Sequence, residues 1–181
     1  MKKLIVWGAI VALSFSSIYA QRVAIKTNVL GWLACGTANV GIDYHIGKHF
    51  AAGADFYANP FMFGDDRSAQ HLNITLSGSY YFCEAFHGSY IGLHALHACY
   101  DAGLGTYNYD GHLNGVGLHY GFVLPLSRHW RLDLMAGVGY AQCCYDLEAR
   151  QYHKGDHEML RHHDANCWGI TRLQAAIAYQ F

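Results

Sequence analysis

Apolar and polar residues alternate with a period of two along most of this chain. Counting back from Phe181, one set holds Tyr179, Ile177, Ala175 and Leu173. The other holds Gln180, Ala178, Ala176, Gln174 and Arg172. Such a segment is a strand with one apolar, aromatic-ended face and one polar or small face. A helical period would draw Arg172 and Gln174 into the apolar stripe. The same alternation runs through Trp130, Leu132, Leu134, Ala136, Val138 and Tyr140, and through Val116, Leu118, Tyr120, Phe122 and Leu124. It recurs in Leu72, Ile74, Leu76, Tyr80 and Phe82, in Val40, Ile42, Tyr44 and Ile46, and in Val23, Ile25 and Val29. Residues 50–58 are weaker. Residues 90–101 are the least regular, because Leu93, His94, Leu96 and His97 fall on both sets. Eight strands are predicted.

Short connections are expected at residues 47–49, 83–88 and 125–129, and longer ones at 59–68, 102–111 and 146–166, with a brief link at 33–36. Two of the short turns repeat a pattern, Gly47-Lys48-His49-Phe50 and Ser127-Arg128-His129-Trp130. Alternating short and long connections predict an all-β, eight-stranded antiparallel up-and-down transmembrane β-barrel of the outer-membrane type, with both termini in the periplasm. In hydrocarbon every backbone polar group needs an internal partner, so a spanning sheet must close. Aromatic residues are expected to girdle the two ends: Phe50, Phe82, Tyr90, Trp130 and Phe181 at one, Trp32, Tyr57, Tyr100, Tyr145 and Trp168 at the other. The alternative is a soluble lipocalin-like ligand-binding barrel, which would turn its apolar set inward and its charges outward.

Composition sharpens this choice. Hydrophobic residues make up 52% of the 181, yet mean hydropathy is only +0.04, so the apolar residues are dispersed. Charged residues are only 14% and sit on the glycine-rich set, which favours lipid outside. Abundant aromatics exclude disorder. A net charge of −1 excludes a basic nucleic-acid binder. The single long apolar run follows Lys2 and Lys3 and covers residues 4–15, the length of a signal-peptide core and too short to span a bilayer. With Ile18 and Ala20 before the cut, residues 1–20 are expected to be a cleaved signal peptide and 21–181 one outer-membrane domain. An uncleaved anchor is the other reading.

The polar set lists an interior. Lys26, Arg131 and Arg172 fall there with Asp43, Asp55 and Asp133, joined by His45, His71, His119, Gln174 and Asn28. An eight-stranded barrel has room only for its own side chains. Buried charges must be paired. The expectation is a neutral, filled, non-conducting interior, with a proton or ion path as the other reading.

Six cysteines follow the signal. An even number in an exported chain permits disulfides. Cys143 or Cys144 bridged to Cys167 would close the base of the 146–166 loop. Free thiols are the alternative. That loop also holds His153, Asp156, His157, Glu158, His162, His163 and Asp164, ligand-forming types without the His-Glu-x-x-His order of metalloproteases. Surface-loop histidines scatter, so no metal site and no cofactor are expected. A lipid-modifying outer-membrane enzyme needs a base within reach of a nucleophile at the outer rim. Ser68 and His71 are three apart and point to opposite faces, so no catalytic residue is assigned.

Several segments carry a resemblance. Residues 23–32, residues 83–88 with 91–96, and Arg128-His129-Trp130 leading into Gly137-Val138-Gly139-Tyr140 resemble domain-of-unknown-function family 3575, exported outer-membrane β-barrel-like proteins of Gram-negative anaerobes. The resemblance covers essentially the whole mature chain. It implies an outer-membrane barrel, loosely associated with fimbrial or other surface structures, and brings no catalytic residues. Leu173, Ala175, Ile177, Tyr179 and Phe181 also resemble the C-terminal signature read by the barrel-assembly machinery. The expected protein is a monomeric, non-enzymatic surface scaffold or adhesion and fimbrial-assembly accessory. It would contact outer-membrane lipid and, through residues 146–166, a surface protein partner.

Overall fold

A computed structural model describes residues 22–33, 36–60, 67–104, 107–150 and 157–181, of which 67–69, 104, 107–108, 147–150 and 157–163 are described by their backbone alone. The expected signal peptide therefore lies outside the described residues. Eight strands follow one another: β1 (Val23–Asn28), β2 (Ala38–His45), β3 (Phe50–Asn59), β4 (Arg67–Tyr81), β5 (Gly88–Leu104), β6 (Tyr107–Pro125), β7 (Trp130–Arg150) and β8 (His157–Gln180). Each pairs antiparallel with the next, and β8 returns to β1, so the sheet closes on itself. A short helix, α1 (Val29–Leu33), follows β1 where the alternation suggested more strand. Among the described residues no helix is long and apolar enough to cross a membrane.

The alternation sorts residues as expected for a closed sheet. Lys26, Asp43, Asp55, His119, Arg131, Asp133, Arg172 and Gln174 are buried inside, while Ile42, Leu76, Leu118, Val138 and Leu173 are exposed outside. Strand lengths differ from expectation on one side. β7 reaches Arg150 and β8 starts at His157, so most of the expected 146–166 loop is strand. The expected 102–111 loop is likewise almost entirely β5 and β6. Glycine and charge break the apolar pattern there, but ladder pairing from the neighbouring strand carries the strand on. The wall is tall over β4 to β8 and low over β1 to β3.

The repeated turns are structurally equivalent. His49 stacks on Tyr80 at 5.7 Å, and His129 stacks on Tyr179 at 5.6 Å. Nδ1 of His49 lies 3.0 Å from the Tyr81 carbonyl, and Nδ1 of His129 lies 3.1 Å from that of Gln180. Phe50 and Trp130 each meet the same tyrosine edge-on at 5.1 Å. The chain end Tyr179-Gln180-Phe181 thus has an internal counterpart in Tyr80-Tyr81-Phe82. The barrel carries this clasp twice, four strands apart.

The closing seam is short. β1 pairs β8 over only five positions, Ala24 to Asn28. The Asn28 side chain then continues the ladder, donating to the Leu173 carbonyl at 3.2 Å and accepting from Ala175 N–H at 3.1 Å. An amide side chain here imitates one more residue of strand.

Candidate functional site

The barrel interior is crossed by one bonded run of charges. Lys26 Nζ lies 2.7 Å from Asp43 and 3.2 Å from Asp55. Arg131 donates to the second oxygen of Asp43 at 3.1 Å. Arg172 pairs with the second oxygen of Asp55 and reaches Gln174 Oε1 at 3.3 Å. Gln174 in turn donates to Asp133 at 3.1 Å. Tyr90 donates to the other oxygen of Asp133 at 2.5 Å. Among the described residues the three buried cations balance the three buried carboxylates, Asp43 and Asp55 in direct ion pairs and Asp133 through hydrogen bonds from Tyr90 and Gln174, as burial in low dielectric demands. Period-two alternation puts each of these residues inside, and pairing across β1, β2, β3, β7 and β8 brings them to one level.

Glycine makes the space. A Cβ on Gly41 would strike Asp55 and Lys26, and one on Gly121 would strike the Tyr90 ring. The low side-chain volume of the inner set is thus matched to long charged partners across the lumen.

Above this layer, Ser79, His119, His94 and Thr171 form a second string. Ser79 Oγ lies 3.0 Å from His119 Nε2, the two histidine Nδ1 atoms are 3.3 Å apart, and His94 Nε2 lies 2.8 Å from Thr171 Oγ1. Below it, the β4–β5 turn drops Phe86 into the barrel mouth. Phe86 has φ of 69°, a left-handed conformation that side chains rarely adopt, and is 1% exposed. Its ring lies 3.8 Å from the Arg131 guanidinium and 5.7 Å from the ring of His45. The residue is a stopper held by a cation and two aromatic rings, the second being Tyr81 at 6.0 Å.

Several expectations need correction. His45 packs against Phe86 at the mouth, and its Nε2 makes no hydrogen bond within the network. Tyr90 is not a girdle residue but an interior one, because β5 begins at Gly88 and sets its even residues inward. Tyr57 also faces inward, near Asn28, and Tyr100 and Tyr145 belong to the inward sets of their strands. Of the two readings left open for these cysteines, Cys143, Cys144 and Cys167 stand as free thiols. Cys143 and Cys167 are hydrogen-bonded to each other inside, whereas Cys144 turns outward to Asp164. Residues 151–156 of the expected histidine-rich loop lie outside the described residues. Among the described residues no group of three or more His, Cys, Asp or Glu is arranged to hold a metal.

The outer wall carries a sharp boundary. On β6, Leu124, Phe122, Tyr120, Leu118 and Val116 face outward in sequence, followed by Asn114, His112 and Asp110. Neighbouring strands change at the same rows: Ala95 gives way to His97, Cys99 and Asp101, and Tyr140 to Gln142, Cys144 and Asp146. At this boundary Cys99 Sγ stands 3.5 Å from His97 Nε2, and His97 Nδ1 stands 2.7 Å from Asn114 Oδ1. All three side chains are exposed. The irregular pattern of residues 90–101 hid this group. The signal was available, since His97 and Cys99 are two apart and so share a face.

The C-terminal residues Leu173, Ile177 and Phe181 face outward, with Tyr179 beside them in the second clasp. The family whose model is described as Protein of unknown function (DUF3575) matches residues 5–181. The chain belongs to this family. No curated protein and no solved structure matches it. For this member of the family the closed antiparallel sheet and its filled lumen are therefore the starting points for function.

Proposed function

We propose that this protein is an outer-membrane β-barrel with a plugged, non-conducting interior, exported by a cleaved signal and working as a surface scaffold. One observation carries the reading: an apolar belt outside and a charge-neutral network inside, the inverse of a soluble barrel. Five outward apolar rows on β6 span about 27 Å along the strand, or about 21 Å once tilted, close to the ~25 Å apolar band of such barrels. Phe50, Phe82, Trp130 and Phe181 are exposed together at the short-turn end, as an interfacial girdle requires. The wall that stands above the polar boundary on β4 to β8, including the remnant of the 146–166 segment, supplies the surface for a partner. The outward C-terminal set suits recognition by the assembly machinery.

Membrane fractionation with heat-modifiable gel migration tests the placement. The protein is expected in the outer membrane and to shift on boiling. Recovery in the soluble periplasm without a shift overturns it. Planar-bilayer recording tests the plug, and steady conductance contradicts it. A second reading, lipid-modifying chemistry, is favoured by one arrangement on the outer wall, the bonded run Cys99–His97–Asn114.

A further inference from the structure

We propose that Cys99, His97 and Asn114 form a nucleophile, base and orienting group that transfers acyl chains from ester lipids at the outer edge of the membrane. The inference rests on the membrane placement above.

The geometry meets the requirements for an activated thiol in order. Cys99 Sγ is within hydrogen-bond reach of His97 Nε2, at 3.5 Å for a sulfur donor. The other ring nitrogen meets Asn114 Oδ1 at 2.7 Å. An amide oxygen accepts only, so Nδ1 carries the proton and Nε2 presents its lone pair to the thiol. Nucleophile, base and orienter in this relation recur on unrelated folds, Cys-His-Asn among them. His97 and Cys99 share the outer face of β5 by their spacing of two. Asn114 is the direct ladder partner of His97 on β6, and His112 is that of Cys99. Two adjacent strands therefore fix the whole group on rigid backbone.

The surroundings indicate the substrate. One row toward the turns from the group, an apolar groove of about 700 Å³ runs over the outer wall, lined by Leu93, Ala95, Val116, Leu118, Tyr140 and Trp168. Ala95 and Val116 are the next outward residues after His97 and Asn114, so the groove ends against the base and its orienting group, one outward row short of the thiol. An acyl chain laid in it, with its ester end extended past the His97–Asn114 row into the polar wall, brings the ester carbonyl to Cys99. His112 lies across from the thiol as a donor for the carbonyl oxygen.

The chemistry balances without a redox partner. His97 takes the Cys99 proton as sulfur attacks the carbonyl carbon. The carbon–oxygen ester bond breaks, and the proton passes to the departing alcohol. Water, or a hydroxyl of another lipid, then attacks the thioester with His97 as base. The acid or new ester leaves and the thiol is restored. Cys99 and His97 are catalytic residues here, and Asn114 is a positioning residue.

The test uses the full chain folded in detergent micelles, with 4-nitrophenyl acetate as a soluble ester and 4-nitrophenyl palmitate as a micellar one. Release of nitrophenol is expected, with a hydroxylamine-sensitive palmitoyl adduct mapped to Cys99. Cys99→Ala and His97→Gln are expected to lower release by about 100-fold or more. Asn114→Ala lowers it about 10-fold, and Asn114→Asp, which keeps the acceptor, restores it. Cys83→Ser, in the far turn, leaves it unchanged. Release by Cys99→Ala equal to that of the unaltered chain overturns the proposal. So does heat-shifting, folded protein that acts on neither ester, and this leaves the membrane placement standing. A detergent-independent protein without a heat shift that still cleaves the acetate through Cys99 retains the triad and removes the membrane placement.

Discussion

The guanidinium of Arg131 lies 3.8 Å above the centre of the Phe86 ring. This contact joins the two devices that fill the barrel. Arg131 belongs to the charge network through Asp43, and Phe86 belongs to the turn that closes the short-turn end. The turn accepts a left-handed φ in order to place the ring. Replacing Phe86 by Ala keeps that backbone and loses the ring, so it is expected to destabilise the barrel by about 3–5 kcal/mol. Urea unfolding in micelles, followed by tryptophan fluorescence, measures this. A loss under about 1 kcal/mol would show that Phe86 is not a structural stopper.

The network predicts an order of effects. Lys26 bridges Asp43 and Asp55, but each carboxylate also has an arginine. Lys26→Met therefore leaves both anions paired. Asp43→Asn leaves Arg131 buried without a carboxylate and Lys26 with one. Removing one partner of a buried pair costs about 3–5 kcal/mol, so Asp43→Asn is expected to reach that range and Lys26→Met to fall below it. Equal losses, or the reverse order, would mean that Arg131 is satisfied by other means.

Alternation alone made the interior legible. Lys26, Asp43, Asp55, Arg131, Asp133, Arg172 and Gln174 fall on the inner set because side-chain direction has a period of two. What alternation cannot give is pairing across the lumen, because that depends on strand tilt and register. Phe86 was hidden for a different reason: it lies in a turn, where no periodicity applies, and its φ is set by the turn. Tyr90 and the Cys99 group were hidden by the irregular apolar pattern of β5. Its inner positions hold the imidazole of His94 beside the apolar Leu96, while its outer ones hold apolar Leu93 and polar His97. A strand that crosses from the apolar belt to the polar wall cannot keep one alternation throughout.

The two clasps predict paired behaviour. His49 and His129 make the same stack and the same carbonyl contact on different parts of the rim. His49→Ala and His129→Ala are each expected to lower stability by about 1 kcal/mol, the scale of one hydrogen bond. Because the sites share no partner, the double variant is expected to lose the sum within about 0.5 kcal/mol. A strongly unequal pair of losses in the same urea titration would show that the repeat is one of sequence rather than energetics.

The free thiols decide between the two bridges that the sequence allowed. Cys143 and Cys144 are adjacent, so they point to opposite sides of β7. The structure sets Cys143 against Cys167 inside and Cys144 against Asp164 outside. Diamide, an azo oxidant that accepts the two electrons and two protons released when a disulfide forms, is therefore expected to join Cys143 to Cys167. Peptide mapping of the oxidised chain identifies the link, and non-reducing gels report the compaction. Cys143→Ser is expected to abolish it and Cys144→Ser to leave it. The diagonal placement, with Cys143 opposite Ala165 and Cys167 opposite Ala141, sets a condition on the outcome. A bridge of this kind must pull two ladder rows together, so the oxidised form is expected to gain less stability than loop closure alone would give. Oxidation that links Cys144 instead would mean that the β7–β8 register at this level is shifted by one residue, since a one-residue slip exchanges the two faces.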